Sequence, residues 1–402
     1  MCVFNPTQEF KMKIFSHSLF VIICFVFAFS SCSKSPDNVP EEEGQLKDSA
    51  FVSPEGAIWL TETQADGKIV VAGNMFPGNP DPIILKRLSK DGEHDPSFNA
   101  HKEKWSYQEI RTLSILKGGK VLIGGRLTMN GVQMPFLCFN ADGSIDKSFV
   151  APTGVNEPRS AATAADGKIF ITGAFRNPNG TRKKTVIRLN ADGKQEAEFL
   201  IGDDFTTVIN AIPQSDGRVL VLGVFVTYPG GESSAYIARL TTNLTLDDSF
   251  KFTYGLTIKP GAPQDGLFSA SIQPDGKIVV VGDFISYRHF TNLNVYYEAD
   301  GILRLQSNGT IDESFRSTST SPGTPTDVQV LDDGRVLVTR HPKLDNTGAS
   351  ITVYTSTGAR DNSVSLTDSE GTAYGVMKQA EKTYLIWGAF SKSMKGLRRV
   401  RS

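Results

Sequence analysis

The 402-residue sequence lacks the patterns that mark most enzyme families. It contains no G-x-S-x-G elbow, no P-loop, no G-x-G-x-x-G turn, no H-E-x-x-H helix, no EF-hand loop and no C-x-x-C pair. Histidine is scarce, and the four that follow residue 31 are scattered along the chain at His94, His101, His289 and His341. The sequence therefore predicts no catalytic residues, no metal site and no cofactor.

An excess of charge of one sign is also lacking. Lysine and arginine number 42 against 43 aspartates and glutamates, for a net charge of −1, so the chain offers no basic field for nucleic acid. Of four cysteines, only Cys32 and Cys138 remain once a leader ending at residue 31 is removed. Cys138 lies in the strand-like stretch FLCFN and is predicted to be a small buried hydrophobe, so no disulfide is expected.

The first 32 residues follow the pattern of a secretory leader. Lys11 and Lys13 precede an apolar run from Leu19 to Phe29, which is too short to cross a bilayer, and Ser30-Ser31-Cys32 follows. The Phe-Ser-Ser-Cys ending resembles the bacterial lipoprotein signal. That resemblance implies that residues 1–31 are removed and that Cys32 carries the lipid. An ordinary secretory signal with an incidental cysteine is the alternative.

Residues 32–43 are predicted to form a flexible tether, because they are polar and have no aromatic side chain to bury. Glu41-Glu42-Glu43 resembles the acidic export signal of surface lipoproteins in Bacteroidetes. We therefore expect an outer-membrane lipoprotein exposed at the cell surface. A solvated linker on a periplasm-facing protein is the alternative.

One short stretch recurs along the rest of the chain, as in QADGKIVVAGN, AADGKIFITGAF and QPDGKIVVVGDF. The second position of its DGK triplet falls at Gly67, Gly119, Gly167, Gly217, Gly276 and Gly334, and at Glu381 in a divergent last copy. A second motif, DG-x-x-D-x-SF, ends at Phe98, Phe149, Phe199, Phe250 and Phe315, with a weak copy at Val364. Repeats at such spacing indicate units that bury their apolar faces against one another, and seven are predicted.

Each repeat has the local chemistry of a small antiparallel sheet. Asp-Gly between apolar runs predicts a hairpin turn, and β-branched runs such as Ile278 to Val281 predict buried strands. With the G-x-F and DxSF segments, each repeat is predicted to form four strands, the pattern of a propeller blade. Asp48-Ser49-Ala50-Phe51 precedes the first repeat and would complete the last blade. We predict an all-β, seven-bladed β-propeller at residues 44–402, closed by its N-terminal strand.

The recurring Q-x-DGKI-x-x-x-G-x-F and DG-x-x-D-x-SF motifs resemble the delta-60 repeat family, whose members form bacterial β-propellers. The resemblance covers nearly the whole chain after the leader. It departs at Gly118-Gly119-Lys120, Thr339-Arg340-His341 and Ala380-Glu381-Lys382. The resemblance implies a fold and leaves the function open.

The loops after G-x-F and after DxSF carry most of the variation and are expected to share one face, where binding residues concentrate. The fifth repeat has the richest loop, with Tyr287, Arg288, His289, Tyr296 and Tyr297, and Tyr254 is expected to lie beside it. Further candidates are Trp105, Tyr107 and Tyr228. Such rings suit a sugar or a protein partner. Alternatively, they pack against one another as a small core.

These features together predict a noncatalytic, lipid-anchored binding propeller outside the cytoplasm. It would act as a monomer, bind no nucleic acid, and recognise a glycan or a protein through its variable loops. One alternative is a polysaccharide lyase or hydrolase that combines Tyr287, Arg288 and His289 with an acid near the propeller axis. A structural envelope protein is the other.

Overall fold

The structure is a computed structural model that describes residues 50–74, 85–100, 104–152, 154–176, 182–200, 205–225, 234–258, 267–289, 295–299, 301–317, 323–341, 351–363, 371–390 and 395–401. All of them belong to one compact unit, Glu43–Ser402. The predicted leader and tether lie outside the described residues. Within these ranges, no helix has the length and hydropathy needed to cross a bilayer.

The regular secondary structure of the described residues is almost entirely β-strand, and the strands form seven antiparallel sheets, numbered here in chain order. Sheet 1 contains β1 (Ala57–Thr63), β2 (Ile69–Asn74) and β3 (Leu85–Leu88); sheet 2 contains β4 (Trp105–Ile115), β5 (Val121–Met129) and β6 (Val132–Phe139). Sheet 3 contains β7 (Val155–Thr163), β8 (Ile169–Arg176), β9 (Arg182–Leu189) and β10 (Gln195–Leu200).

The remaining sheets include one that draws strands from two repeats. Sheet 4 contains β11 (Phe205–Pro213), β12 (Val219–Phe225), β13 (Ser234–Leu240), β14 (Tyr254–Ile258), β17 (Phe284–His289) and β18 (Tyr297–Glu298); sheet 5 contains β15 (Leu267–Ile272), β16 (Ile278–Gly282) and β19 (Ile302–Leu305). Sheet 6 contains β20 (Thr324–Val330), β21 (Val336–His341) and β22 (Ile351–Tyr354); sheet 7 contains β23 (Thr372–Ala380), β24 (Thr383–Phe390) and β25 (Lys395–Arg401).

The DGK triplets form the predicted hairpin turns. In sheet 5, Gly276 has φ of +82° and its N–H donates to the carbonyl of Gln273 at 2.9 Å. The Asp275 carboxylate accepts the N–H of Lys277 at 3.1 Å. Glycine adopts this left-handed conformation without strain, and aspartate stabilises it by bonding its own backbone. The prediction of a turn at this motif is confirmed.

The prediction of four strands in every repeat is wrong for most of them, because the DxSF segment forms a single bridge, as between Leu305 and Ile311. The Asp312 carboxylate accepts the N–H and the hydroxyl of Ser314, at 3.1 and 2.6 Å, which turns the chain away from the sheet. Sheet 3 has glutamate at this position, Glu196, and there the segment continues as the strand β10. A full fourth strand therefore forms where the Asp-x-Ser turn is missing.

The first strand of each sheet carries an irregularity at one equivalent position, where an extra residue interrupts its pairing with the second strand. The extra residues are Trp59, Arg111, Arg159, Ile209, Phe268, Thr326 and Tyr374. A β-bulge bends a strand and changes the direction of the side chains near it. The seven first strands thus share one local geometry that the DGK and DxSF motifs do not reveal.

Neighbouring sheets pack in chain order through their first strands, and β23 of the last sheet contacts β1 of the first. The core lies between the sheets, as the fully buried run from Ile278 to Val281 illustrates. At the junction of sheets 7 and 1, Phe51 and Leu88 pack with Leu385 and Leu397 in one apolar cluster.

A recurring arginine connects one sheet to the next, and we call this set the linking arginines. Each donates from Nη1 to a carbonyl in a turn of the following sheet: Arg87 to Ala141 (2.7 Å), Arg188 to Thr242 (2.6 Å), Arg239 to Ser307 (2.6 Å), Arg304 to Ser356 (2.7 Å) and Arg399 to Lys90 (2.9 Å). In sheet 2 the position holds Cys138, and in sheet 6 it holds Val353. The last of these bonds joins sheet 7 to sheet 1.

The acid of the DxSF motif neutralises the linking arginine within its own repeat. Arg304 Nε donates to Asp312 at 2.7 Å, and Lys277 of the DGK triplet lies 3.2 Å from the same carboxylate. Burial alone would raise the pKa of Asp312, but hydrogen bonds from Ser314, Lys277 and Arg304 lower it to about 2. The recurrent acids at this position therefore act as counterions that hold the repeat together.

The N-terminal segment contacts the last sheet. Arg399 lies over the ring of Phe51 at 5.0 Å, just as Arg304 lies over Phe315 at 4.8 Å, and Gly396 donates to the carbonyl of Pro54 at 3.0 Å. Phe51 thus has the position that the DxSF phenylalanine has in the other repeats.

We expect Arg399→Met to lower the free energy of unfolding by about 1 to 3 kcal/mol, because it removes two hydrogen bonds that a buried guanidinium donates to the Lys90 carbonyl and to Asp91. Urea denaturation of the purified protein measures this loss. The exposed Arg360, replaced in the same way, is the control. Equal stability of both variants would contradict a structural role for Arg399.

Candidate functional site

The predicted loop residues form a cluster at the outer part of sheet 4, which we call the tyrosine cluster: Tyr254, Tyr287, Arg288, His289, Tyr296 and Tyr297. The cluster exists because the insertion of the fifth repeat pairs with the segment that follows the fourth. Strand β17 runs antiparallel to β14, with Tyr254 opposite His289, and β18 then pairs Tyr297 with Tyr287. Tyr254 therefore lies beside the insertion.

The inner rings of the cluster pack against one another. The ring of Tyr254 meets that of Tyr287 edge-on at 5.7 Å and that of His289 at 5.1 Å. His289 is also fixed by a hydrogen bond between its Nε2 and the Thr253 hydroxyl, at 2.9 Å. Tyr287 is 6% exposed, and its burial, with the nearby charge of Glu313, raises its pKa to about 12. Tyr287 therefore supports the cluster from below.

The outer rings face solvent and are held in place. Tyr297 is 43% exposed and stacks on Tyr287 with ring centres 5.0 Å apart. Tyr296 is 56% exposed; its hydroxyl accepts a hydrogen bond from Arg288 at 2.7 Å, and the guanidinium lies 5.3 Å from its ring centre. Two tyrosine faces and one guanidinium are thus presented to solvent on a fixed support.

The other predicted residues do not join this cluster. Trp105 is 8% exposed and donates its indole N–H to the carbonyl of Ala100 at 2.8 Å. Tyr107 meets the ring of Trp59 edge-on at 6.2 Å, and its burial raises its pKa. Both belong to the packing around sheets 1 and 2. Tyr228 and the predicted lipid site Cys32 lie outside the described residues.

A second candidate site was missed by the sequence reasoning. A cavity of about 410 Å³ lies among the first strands of all seven sheets, and we call it the first-strand cavity. The residue that follows each bulge lines it: Leu60, Thr112, Ser160, Asn210, Ser269 and Asp327. In sheet 7 this position is Gly375, and the paired Trp387 lines the cavity instead.

Gly375 admits the tryptophan into the cavity wall. A Cβ at this position would lie 2.1 Å from Cζ2 of Trp387, so any other residue would displace the indole. The indole N–H donates to the carbonyl of Trp59 at 3.0 Å, which fixes the ring across the junction of sheets 7 and 1. One wall of the cavity is therefore an oriented aromatic face.

Two carboxyl groups meet in the cavity. Asp327 accepts the N–H of Val328 and that of Val376, each at 2.9 Å. Burial raises the pKa of Asp327, although hydrogen bonds from Ser269 and these N–H groups act in the opposite direction. Burial, and secondly the charge of Asp327, raises the pKa of Glu62 to about 7. Glu62 therefore exchanges its proton near neutral pH, which is uncommon for a carboxyl group.

The cavity also contains positive charge and neutral polar groups. Arg111 and Arg159 line it, and Arg111 is paired with Glu109 at 2.9 Å. Ser160 donates its hydroxyl to the side-chain oxygen of Asn210 at 2.6 Å. The lining therefore combines both signs of charge with hydroxyl, amide and aromatic groups.

The catalytic arrangement expected for a polysaccharide-active enzyme is not formed among the described residues. Tyr287, Arg288 and His289 belong to the tyrosine cluster, and none of them lines the cavity that holds Glu62 and Asp327. In the same part of the chain, no group of three or more histidine, cysteine or acidic residues is arranged to hold a metal ion. Burial raises the pKa of the Cys138 thiol to about 12, which makes it a poor nucleophile.

A larger cavity, of about 520 Å³, lies between the DGK turns of sheets 3 and 4. Its charged residues are paired, since Lys168 bonds Asp166 and Arg188 lies 3.2 Å from Glu196. This larger cavity separates two turns, whereas the first-strand cavity is lined by side chains from every sheet.

The raised pKa of Glu62 predicts a pH-dependent cost to stability. The folded protein keeps the proton up to about pH 7, but the unfolded chain releases it near its ordinary value of 4.5. The favourable contribution of the protonated carboxyl is therefore complete below pH 4.5 and is lost as the pH rises through 7.

We expect Glu62→Gln to leave stability unchanged at pH 4 and to increase it by about 1 to 3 kcal/mol at pH 8. Urea denaturation at both pH values measures this difference. Glu298→Gln, at an exposed position, should have no effect at either pH. A gain that is equal at the two pH values would show that the Glu62 carboxyl is not the cause.

Comparison with solved structures gives matches at low identity. YCF48 bound to D1 peptide matches 91% of this chain and 100% of its own, with 13% identity and a TM-score of 0.49. XC5397, a gluconolactonase from Xanthomonas campestris, matches 74% and 87%, with 14% identity and a TM-score of 0.41. A protein of unknown function from Dyadobacter fermentans DSM 18053 matches 88% and 97%, with 14% identity and a TM-score of 0.42. Similarity at this level carries no inference about activity.

No curated protein matches the chain. A family model described as "Domain of unknown function (DUF5122) beta-propeller" matches five segments: residues 64–98, 119–149, 164–199, 214–250 and 273–315. Each of these segments runs from a DGK turn to the phenylalanine that ends the DxSF motif. The repeats recognised from the sequence therefore coincide with those of a β-propeller family model, and these matches support a β-propeller fold.

Proposed function

We propose that this protein is a noncatalytic binding propeller that recognises a glycan through the tyrosine cluster. The observation that carries the proposal is the pair of exposed rings, Tyr296 and Tyr297, which are 56% and 43% exposed yet fixed by contacts beneath them. Rings that are already ordered lose little conformational entropy when a ligand binds.

The chemistry of the exposed groups favours a sugar over a protein surface. Tyrosine faces stack on the apolar side of a sugar ring, and their hydroxyls and the Arg288 guanidinium can bond its oxygen atoms. The exposed apolar side chains are few: Ile285 and Val295 accompany the two tyrosines at 45% and 40% exposure, whereas Tyr287 is buried and Tyr254 is partly buried. A protein partner would need a larger contact area, and it remains the second ligand class that the experiment below distinguishes.

We propose further that the seven sheets are the blades of one closed ring, with the N-terminal segment completing the last blade. The bond from Arg399 to Lys90 and the contact between Arg399 and Phe51 support this proposal. An equivalent arginine–carbonyl bond and an equivalent arginine–phenylalanine contact occur in other repeats. Contacts between β23 and β1 support it as well. Closure leaves no sheet edge exposed between the first and last blades.

For the location of the protein we propose a lipid anchor at Cys32, a tether over residues 32–43 and attachment to the outer membrane, with the propeller exposed at the cell surface. The apolar run and the Ser30-Ser31-Cys32 ending support the anchor, and Glu41-Glu42-Glu43 supports surface exposure. A monomer fits this arrangement, because a ring that closes on itself needs no partner to cover an edge.

A glycan array probed with the purified full-length protein tests the proposed ligand. We expect binding by the wild type and its loss in Tyr296→Ala/Tyr297→Ala, while the melting temperature stays the same because both rings are exposed. Val132→Ala/Gln133→Ala, at exposed positions of sheet 2, should bind like the wild type.

The same experiment separates the alternatives. Absence of binding to every glycan would contradict a glycan ligand; capture of a protein by crosslinking in cells would then support the protein-binding alternative. Release of new reducing ends from a bound glycan would support the polysaccharide-active enzyme. An unfolded double variant would assign Tyr296 and Tyr297 to packing.

The anchor is tested separately by Cys32→Ala. We expect the variant to leave the membrane fraction, because the residue that carries the lipid is missing. Fractionation of cells and metabolic labelling with a palmitate analogue measure the change. Unchanged membrane association and labelling would contradict the proposed lipoprotein signal. Cys138→Ala, at a buried position, should remain membrane-bound and is the control.

A further inference from the structure

The first-strand cavity is a site of a different kind from the tyrosine cluster. It is an open cavity lined by residues from all seven sheets, and its volume of about 410 Å³ lies within the range of small-ligand pockets. Each strand in its wall pairs with the second strand of its own sheet and packs against the first strands of neighbouring sheets. The side chains that line the cavity are therefore held in place before a ligand binds.

Two polar groups in its wall have no side-chain hydrogen-bond partner among the described residues. Glu62 receives a hydrogen bond from the backbone of Thr63 but none from any described side chain, and its raised pKa means that its charge destabilises the fold above neutral pH. The hydroxyl of Thr61, a residue 5% exposed, has no hydrogen-bond partner within the described part of the chain. Buried polar groups are normally satisfied, and exceptions of this kind are typical of binding sites.

The signs of the charges restrict the ligand. Glu62 and Asp327 would attract a cation, but Arg159 and Arg111 line the same cavity and oppose it, Arg111 less strongly because it is paired with Glu109 at 2.9 Å and Glu157 at 3.5 Å. An anion would be attracted by the arginines and repelled by the carboxylates. A neutral ligand with many hydroxyl groups meets no conflict, because each hydroxyl can donate to a carboxylate and accept from a guanidinium or an amide.

The tryptophan adds a shape requirement. Trp387 presents an indole that Gly375 admits and that the carbonyl of Trp59 orients. An aromatic face beside hydroxyl, amide and carboxyl groups suits the ring of a sugar, which has an apolar side and a hydroxylated edge. The same requirement disfavours an open-chain polyol, which has no flat side to stack.

We infer that the first-strand cavity binds one neutral sugar unit, with Trp387 stacking on its ring and Glu62 and Asp327 accepting its hydroxyls. This site does not depend on the tyrosine cluster, and either site can exist without the other. If both exist, the protein holds a glycan at two places, one on its outer surface and one among the first strands.

Isothermal titration calorimetry of the full-length protein tests the inference. The protein is kept in a detergent without a sugar headgroup, and the probes are glucose, galactose, mannose, N-acetylglucosamine, maltose and cellobiose. We expect saturable binding of at least one probe, with a dissociation constant of about 1 mM or tighter. Glu62→Gln should weaken that binding about tenfold, because a charge-assisted hydrogen bond is lost.

The controls separate this site from the proposed function. Tyr296→Ala/Tyr297→Ala should bind the small sugars like the wild type even if it fails on the glycan array. Glu298→Gln should also be unaffected. Trp387→Phe, which keeps a ring of smaller area, should bind more weakly than the wild type while remaining folded by circular dichroism.

Three results would overturn the inference. The first is no saturable heat with any of the six sugars. The second is binding that Glu62→Gln and Trp387→Phe leave unchanged. The third is tight binding of tetramethylammonium in place of sugars, which would assign the cavity to a cation. Failure of the glycan array alone would leave the inference standing, since the array tests the tyrosine cluster.

Discussion

A buried guanidinium must have acceptors for its hydrogen-bond donors, and most of the repeats are organised around this requirement. Arg239 illustrates it: its side chain is 3% exposed, and it bonds Asp247, Ser249 and a carbonyl of the next sheet. Removing one partner from such a group costs more than the bond itself contributes. The arginine, the Asp-x-Ser turn and the following sheet therefore depend on one another, which explains why these residues recur together.

Much of the fold could be predicted because its signals are local. Asp-Gly turns and β-branched runs specify hairpins through backbone preferences that any copy shows by itself. The fourth strand was predicted wrongly because a side-chain bond within the Asp312 turn competes with the sheet, and that competition is not visible in apolar periodicity. The pairing of β17 with β14 also escaped prediction, since it joins two repeats that the sequence presents as separate units.

The two candidate sites differ in what the sequence reveals of them. The tyrosine cluster was visible as composition, but only the pairing of Tyr297 with Tyr287 determines which ring is buried and which is exposed. The first-strand cavity was not visible, because its residues are single polar positions such as Glu62, Asn210 and Asp327 in seven separate strands. Their common location in one cavity becomes apparent only when the structure shows where the bulge lies in each first strand. A small signal does exist, in that polar residues occupy positions where a buried strand would be apolar.

The linking arginines are unevenly distributed, and this has a mechanical consequence. Cys138 and Val353 replace them in sheets 2 and 6, so the junctions of sheets 2 with 3 and of sheets 6 with 7 lack the outer bond. The first of these junctions relies on contacts of the first strands, such as the bond from Ser114 to Ala161. At the second, Asp332 in the turn of sheet 6 also accepts bonds from Lys378 and from the N–H of Lys382. In a nearest-neighbour description of repeat proteins, the interface energies between adjacent sheets then differ along the chain, so local opening is easier at some junctions than at others.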